Sequence, residues 1–450
     1  SEINPDAFTL TGVAGAYWKG NEKNPMLTRV YAIAFETKEE LDRHVVLLEE
    51  AKRRDHKRLG LELDLFTFSD LVGPGLPLWT PKGTILRNIL DDFVWRLRKK
   101  QGYAQVDIPH IAKKDLYEKS GHWEKFKNEF FKIETREGHI FAMKPMNCPH
   151  HTQIFARRLW SYRDMPQRYA STTKVYRDEQ TGELAGLSRV RAITQDDAHV
   201  FCRQSQTKEE ILTIWGIVHE FYGKVGFSLR MRLSLSDPKN PGAYLGSPDI
   251  WKKAEGMLRE ILKDKNSDAF EAPGEAAFYG PKIDFLASDS LGREWQVATI
   301  QLDMNLPERF DLSCINEKGE RERIVMIHAA IMGSIERYIS ILIEHFAGAF
   351  PFWLAPTQII ILTVNDSVKS YAAEVKKRLE AEGARIELDD RNETIGKKIR
   401  EGELQKIPYL LVIGPREVES KTVSVRERGK GDRGAVALEK FLEVLRALKS

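Results

Sequence analysis

Residues 169–203 read YASTTKVYRDEQTGELAGLSRVRAITQDDAHVFCR, and the fold turns on them. A strand from Lys174 to Tyr176 reaches Arg177 and Glu179. A polar turn through Thr181 and Gly182 follows. A second strand then carries Arg189 and Arg191 into Gln195, Asp196, Asp197 and His199. Two β-branched runs around a Thr-Gly loop predict a β-hairpin. Its charge is unusual, because three arginines beside a glutamate and two aspartates are costly on a half-buried sheet face unless a ligand pairs with them. Guanidinium forks match the oxygens of phosphate. The hairpin therefore either binds a phosphate ligand or is a solvated ribbon laced with surface ion pairs, and spacing alone leaves both open.

Working outward, 450 residues allow two or three domains with sizeable cores. Charged residues at 30% and apolar ones at 42% indicate a globular chain rather than a disordered one. No apolar run approaches the roughly 20 residues of a membrane span, and no signal peptide opens the chain. A net charge of +3 does not announce nucleic-acid binding, so any RNA contact rests on local basic patches. Three cysteines (Cys148, Cys202 and Cys314) show no paired spacing, which argues against a disulfide framework and for a cytoplasmic setting. The first residue, Ser1, suggests a trimmed or processed start.

Residues 1–35 are aromatic-rich and predict one strand. Thr37 and Glu40 form a capping-box pattern, with a charged helix continuing to about Leu59. Its EEAKRRDHKRLG end is either a solvated face or lies against RNA. GPGLPLWTPKG, residues 73–83, lacks the Gly-Lys-Ser/Thr ending of a phosphate-binding loop. An amphipathic helix from about Gly83 to Lys100 leads to a strand ending at Pro109. Residues 205–265 carry helical periodicity broken by DPKNPGAYLG. AAFYGPKIDF and REWQVATIQLDM then alternate as antiparallel strands. After PFWLAP (351–356) the pattern changes to apolar strands alternating with helices, which predicts a small unit of parallel strands with helical crossovers. The division is 1–60 for an entry strand and connector helix, 61–351 for a large domain of mixed helices and strands, and 352–450 for a C-terminal domain.

Arg177-Asp178-Glu179, the loop and Arg189 resemble motif 2 of the class II aminoacyl-tRNA synthetases, and TQDDAHVFC resembles its threonyl-tRNA synthetase form. MNCPHH (Met146–His151) and HAAIMGSIER (His328–Arg337) agree, and the likeness runs from about Ala14 to the C-terminus. It implies an α+β catalytic domain on an antiparallel sheet, followed by an α/β anticodon-binding domain. The helix–strand pair at 83–109 resembles motif 1, whose role is to build a homodimer.

The family's chemistry then falls on particular residues. Taken singly, Cys148, His199 and His328 obey no ligand spacing, and a lone Cys or His is more often packed core. The resemblance assigns them to one Zn²⁺ per chain with a fourth position open. Zinc would bind the amine and hydroxyl of threonine, and Asp197 would accept from that hydroxyl. For ATP, the likeness gives Arg177 to the α-phosphate, Arg189 to the β/γ-phosphates, Glu179 to the adenine amino group, and Arg337 to the ring and γ-phosphate. Ser334 and Ile193 complete this pocket, and Mg²⁺ is expected to bridge the phosphates. By the same likeness Met146, Gln195, Tyr279, Lys282, Gln296, Thr299 and Gln301 would surround the substrates, with Gln296 and Thr299 toward ATP. His122 is implied in transfer to tRNA(Thr), as an imidazole titrating near the operating pH. Asn392, Glu417 and Arg426 match anticodon contacts, although the RERGKGDRG run beginning at Arg426 also reads as a hairpin tip.

Four positions depart from the family pattern: Ile193 stands where an adenine-stacking aromatic is usual, His150 and Ala298 where glycine is common, and Ala329 where arginine is common. None is a proposed ligand or phosphate arginine. Bacterial-type members carry ubiquitin-like and editing domains ahead of the connector where this chain begins. The implied activity is therefore threonine attachment through a threonyl-adenylate, without editing in cis. Two other readings stand against it, namely a non-catalytic RNA-binding relative and an unrelated zinc hydrolase. Intact Arg177, Glu179 and Arg337 oppose the first, and the lack of a carboxylate at metalloprotease spacing opposes the second.

Overall fold

The computed structural model describes residues 4–448, so Ser1 lies outside the described residues. Residues up to Asp55 form one compact unit and those from His56 onward a second. In the first unit, strands Phe8–Tyr17 and Met26–Ala34 pair antiparallel, where the sequence reading expected one strand. The helix Lys38–Arg54 begins at the anticipated capping box: the Glu40 amide donates to Thr37 Oγ1 (3.3 Å) and the Thr37 amide to Glu40 Oε2 (3.2 Å). It ends at Arg54 rather than Leu59, and His56–Glu62 is a separate helix.

The second unit is built on an eight-stranded sheet. Its strands in chain order are β1 (Ala104–Gln105), β2 (Gln167–Tyr176), β3 (Ala192–Cys202), β4 (Leu229–Leu235), β5 (Phe270–Pro273), β6 (Lys282–Ser288), β7 (Glu294–Asp303) and β8 (Val325–Ala330). Their spatial order is β5-β4-β6-β7-β8-β3-β2-β1. The interior pairs are antiparallel, and only the edge pairs β1–β2 and β4–β5 are parallel. The strand expected to end at Pro109 is thus two residues long.

One sheet face is covered in part by α1 (Pro81–Lys100), α3 (Thr207–Val225), α4 (Pro248–Asp264) and α5 (Ile335–His345), while α2 (Cys148–Ala156) packs through Phe155 on Phe201 of β3 at the other face. The large core lies against α1, α3, α4 and α5. On α1, Leu86, Leu90, Val94 and Leu97 recur at helical spacing and are buried. They meet Ile214, Val218 and Phe221 of α3 and, from the sheet, Ala198, Val200, Ile300 and Ile327. Side chains alternate across a strand. Even-numbered Ala198 and Val200 of β3 therefore face this core, while Gln195, Asp197 and His199 face the other way.

β4 lies inside the stretch expected to be helical. Gly226 ends α3 in the left-handed region (φ 91°), and Leu229, Met231, Leu233 and Leu235 then alternate as a strand. In the hairpin, β2 is longer than the sequence suggested, and β3 begins only at Ala192. Arg189 and Arg191 therefore belong to the loop.

The C-terminal sheet contains β9 (Ile359–Thr363), β10 (Ile386–Asp389), β11 (Tyr409–Ile413), β12 (Thr422–Glu427) and β13 (Gly431–Ala437), in the order β10-β9-β11-β12-β13. Only β10, β9 and β11 are parallel, and the last two strands add on antiparallel. This corrects the expectation of a wholly parallel unit. Among the described residues, no helix is long and apolar enough to cross a membrane.

Candidate active site

Sheet register assembles the site. His199 of β3 pairs with His328 of β8, His328 with Gln301 of β7, and Gln301 with Lys282 of β6. Four residues remote in sequence thus form one row across four strands. Cys148 reaches them from the first turn of α2. Its Sγ and one nitrogen of each histidine lie within 4.8 Å of one another, and all three residues are buried. The cavity above this row has a volume of about 620 Å³. Its walls take in Met146, Arg177, Gln195, Asp197, Tyr279, Lys282, Gln296, Thr299, Gln301, Ser334 and Arg337, so most of the anticipated substrate residues converge there.

The donor set fits zinc. Asp303 Oδ2 lies 2.9 Å from His328 Nε2, and a carboxylate can only accept. His328 is thereby fixed with a bare lone pair on Nδ1. That lone pair faces His199 Nε2 across 3.1 Å. Either a proton or a cation must lie between them. Two nitrogens on one tetrahedral zinc stand about 3.3–3.4 Å apart, close to this separation. Burial, with Asp197 and Asp303 nearby, pushes the Cys148 thiol well above its ordinary range. A divalent cation reverses that preference, because the thiolate is the ligand.

Asp197 stands beside this cluster, with Oδ1 3.8 Å from His199 Nε2. Its Oδ2 accepts from Asn147 Nδ2 at 3.0 Å, leaving Oδ1 toward the cavity. Tyr279 closes one side, its ring 4.9 Å from that of His328. Its backbone carbonyl accepts from Asn305 (2.7 Å), and Gly280 carbonyl accepts from Gln301 (3.1 Å). A Cβ on Gly280 would fall 2.0 Å from the Leu302 carbonyl oxygen, so this close approach requires glycine.

The other half of the cavity is cationic. Arg177 lies 5.9 Å over the Phe126 ring, and its Nε is buried with no hydrogen-bond partner among the described residues. Arg337 lies 5.7 Å over Trp295, and burial lowers its pKa from the ordinary value. The Ser334 hydroxyl caps α5 by accepting from the Arg337 amide (3.2 Å). Gln296 and Thr299 both donate to Asp284 Oδ1, at 2.8 and 2.9 Å. Asp284 Oδ2 accepts from Arg232, Ser234 and Lys282 at 2.9, 2.7 and 2.7 Å. This fully buried carboxylate holds the wall together. The sequence reading missed it, although an aspartate inside the apolar run KIDFLA was a visible signal.

Four anticipated residues do not line the cavity. Glu179 and Arg189 are spent on each other: Glu179 Oε2 accepts from Arg189 Nε (2.8 Å), and Arg189 also meets Glu183 at 3.3 Å. Ile193 sits opposite Val175 in the β2–β3 ladder. His122 lies behind Cys148, with Nε2 3.7 Å from Sγ and Nδ1 2.8 Å from Ser120 Oγ. Burial, aided by His328, Arg309 and Arg177, pushes it down to about 3, against the expectation of titration near neutrality. The anticodon candidates also stay apart. Asn392 lines a separate cavity of about 410 Å³ with Thr363, Asn365 and Arg391. Glu417 accepts from the Gly414 amide (2.8 Å) as a helix cap, and Arg426 pairs with Glu403 and Asp432.

Two family models and several known proteins match this chain. The family model of the tRNA synthetase class II core domain (G, H, P, S and T) matches residues 131–346, and that of the anticodon binding domain matches 358–448. The threonine–tRNA ligase of Porphyromonas gingivalis is 49% identical over 442 residues, covering 98% of this chain and 68% of that protein. That of Gloeobacter violaceus is 50% identical over 454 residues, covering 99% and 72%. The RNA binding domain of threonyl-tRNA synthetase from Cryptosporidium parvum superposes with a TM-score of 0.82 at 37% identity, covering 88% of this chain and 98% of that one. A Giardia lamblia prolyl-tRNA synthetase, with a TM-score of 0.71 and 17% identity over 90% of this chain and 80% of its own, shares the fold.

Proposed function

The chain belongs to the threonine–tRNA ligase family, and from that premise we propose how its cavity selects threonine and activates it. As a class II synthetase it joins threonine to tRNA with ATP. The observation that carries the detailed reading is the convergence of Cys148, His199 and His328 with Asp197, Arg177 and Arg337 on one cavity. Cys148, His199 and His328 would hold one zinc per chain, which when bound supplies a Lewis acid for the amine and β-hydroxyl of threonine. Asp197 Oδ1 takes the hydroxyl hydrogen bond, since Oδ2 is already committed to Asn147. Valine leaves this buried oxygen unpaired and is rejected by roughly 10⁴-fold. Serine loses one methyl, about 1–3 kcal/mol, so the chain is expected to charge serine as well.

Tyr279, Gln301, Met146, Gln195 and Lys282 fix the amino acid so that its carboxylate faces the α-phosphate. In-line attack forms the carboxylate–phosphorus bond and breaks the bond to the pyrophosphate oxygen. Such transfers need positioning and charge stabilisation more than covalent help. Arg177, with its unpartnered Nε, receives the α-phosphate, and Arg337 the γ-phosphate. The Asp284 hub holds Gln296 and Thr299 as the nucleotide wall. Ser334 keeps the first turn of α5 against the ligand. Glu179 and Arg189 take adenine and the outer phosphates once their mutual pair opens, and Mg²⁺ accompanies the ATP. Ile193 packs at the edge of the base. His122 is retained only as a neutral neighbour of Cys148.

Asn392, Glu417 and Arg426 remain our candidates for anticodon reading, and Asn392, which lines a cavity, is the strongest. The family-model ranges support a catalytic domain at 61–351 and an anticodon domain at 352–450, after an entry segment at 1–60. A homodimer through α1 and β1 is supported by the short edge strand, which pairs only Tyr169 and Ala170 of β2. Three buried, unpaired cysteines support a cytoplasmic setting.

Threonine-dependent ATP–pyrophosphate exchange tests the reading. Exchange is expected with zinc-loaded protein, and its absence removes the proposal. Cys148→Ser is expected to lose both exchange and bound zinc. Full zinc occupancy in that variant would refute the ligand set.

A further inference from the structure

The metal cluster is backed by a file of hydrogen bonds that ends outside it. His151, three residues after Cys148 on α2, is fully buried. Its Nδ1 lies 2.8 Å from His199 Nδ1, and its Nε2 lies 3.2 Å from Ser171 Oγ on β2. The two imidazoles meet edge to face at 4.7 Å and 87°. Beyond His199 the file continues to His328 and Asp303, whose Oδ1 accepts from the amides of Asn305 and Leu306 at 2.8 and 2.9 Å.

With His328 fixed by Asp303, neutral imidazoles allow this file two complete registers. In one, Ser171 donates to His151 Nε2, His151 Nδ1–H donates to His199 Nδ1, and His199 Nε2–H donates to His328 Nδ1. A proton then occupies the position a metal needs. In the other, His199 Nδ1–H donates to His151 Nδ1, His151 Nε2–H donates to Ser171, and His199 Nε2 is left as a bare lone pair beside His328 Nδ1 and Cys148 Sγ. The two registers hold the same number of protons. Choosing between them means inverting two tautomers, and His199 can invert only if the group facing its Nδ1 can both give and accept a proton. His151 is that group.

We propose that His151 is a positioning residue that sets the tautomer of His199 and so makes the site ready for zinc. This rests on the zinc reading above. Partners of a ligating imidazole's second nitrogen typically change metal affinity by 10–100-fold.

The test uses the full chain, stripped by a chelator and titrated with zinc against a chromophoric competitor. His151→Phe removes the partner and is expected to bind zinc about 10–100-fold more weakly, with KM for ATP unchanged. His151→Asn supplies a side-chain oxygen where His199 Nδ1–H points and is expected to stay within about threefold of the unmodified protein. Equal loss in both variants, or no loss in His151→Phe, overturns the proposal. Failure of the unmodified chain to bind zinc would instead overturn the ligand assignment. Should His151→Phe not fold, nitrogen-15 histidine spectra of the unmodified protein loaded with cadmium-113 decide: coupling to His199 Nε2 with a proton on Nδ1 is expected, and metal on His199 Nδ1 sinks the idea.

Discussion

Asp196 stands between two cavity residues, Gln195 and Asp197, and points the opposite way. Its carboxylate accepts from the amides of Ile331, Met332 and Gly333 (3.0, 3.0 and 2.8 Å) and pairs with Arg98 Nη2 of α1 at 3.2 Å. It therefore pins the turn that delivers Ser334 and Arg337. Asp196→Ala strands a buried guanidinium and three amides, and should cost about 3–5 kcal/mol in urea unfolding. Burial outweighs Arg98 and the amides and pushes this carboxyl up to about 6. Because the folded value is raised above the unfolded one near 4, the native state binds the proton more tightly between those values. That contribution favours the fold at low pH and is lost as pH rises through about 6. Function runs the other way, since protonation weakens the grip on residues 331–333. Exchange activity should fall below about pH 6 with a one-proton limb, and a pH–rate profile of Asp196→Asn should lack that limb. At this scale the sequence was only half legible. Strand alternation gives Gln195, Asp197 and His199 a common face, yet nothing in spacing joins Cys148 to His328. Only family likeness did so, and it said nothing of Asp284, Asp303 or His151, whose partners are brought in by sheet pairing.

The hairpin β2–β3 was visible as two β-branched runs, but its charges were misplaced on the second strand. Arg191 explains why: its guanidinium donates to the Glu179 carbonyl (3.0 and 2.8 Å), and its amide donates to the Gly75 carbonyl (2.8 Å). These contacts wrap the segment onto the 73–75 loop, where Gly75 adopts φ 74°, and no local pattern encodes them. β4 was legible in hindsight from LRMRLSL, and the apolar residues on either side of Gly226 masked it as helix. β3 and α5 are joined by Glu336, whose carboxylate accepts from the Thr194 amide and hydroxyl, both at 2.7 Å. Burial raises its pKa from the ordinary carboxylate value against these bonds. Glu336→Gln keeps the shape but loses one acceptor, so about 1–3 kcal/mol of stability should go. Because Ser334 and Arg337 sit in the same turn, KM for ATP should rise more than KM for threonine. Parallel shifts in the two constants would contradict this element-level coupling.

Across the whole second unit, the change of pattern at PFWLAP marked where one sheet gives way to another, because an apolar strand followed by helical periodicity is a local signal. The order of the last strands was not local. Gly429, Gly431 and Gly434 (φ 78°, 72° and 80°) read as a turn, and only pairing with β12 makes β13 a strand. Long-range ties then fasten this sheet to the catalytic core: Arg428 Nη2 donates to the Phe350 carbonyl (2.6 Å), and Gln405 to the Glu62 carbonyl (2.8 Å). None of these ties touches the cavity of the large sheet, so chemistry and RNA reading should be separable. Asn392→Ala removes a cavity-lining amide and Arg426→Ala a partly exposed guanidinium; each should leave threonine-dependent exchange unchanged. Each should also raise KM for tRNA roughly tenfold, the equivalent of one lost hydrogen bond at about 1.4 kcal/mol. Glu417→Ala should behave differently, because its carboxylate caps the Pro415–Ser420 helix: here thermal stability should fall along with tRNA affinity. If Asn392→Ala instead lowers the exchange rate as much as charging, the two sheets work as one catalytic body and the division of labour argued from the separate cavities is wrong.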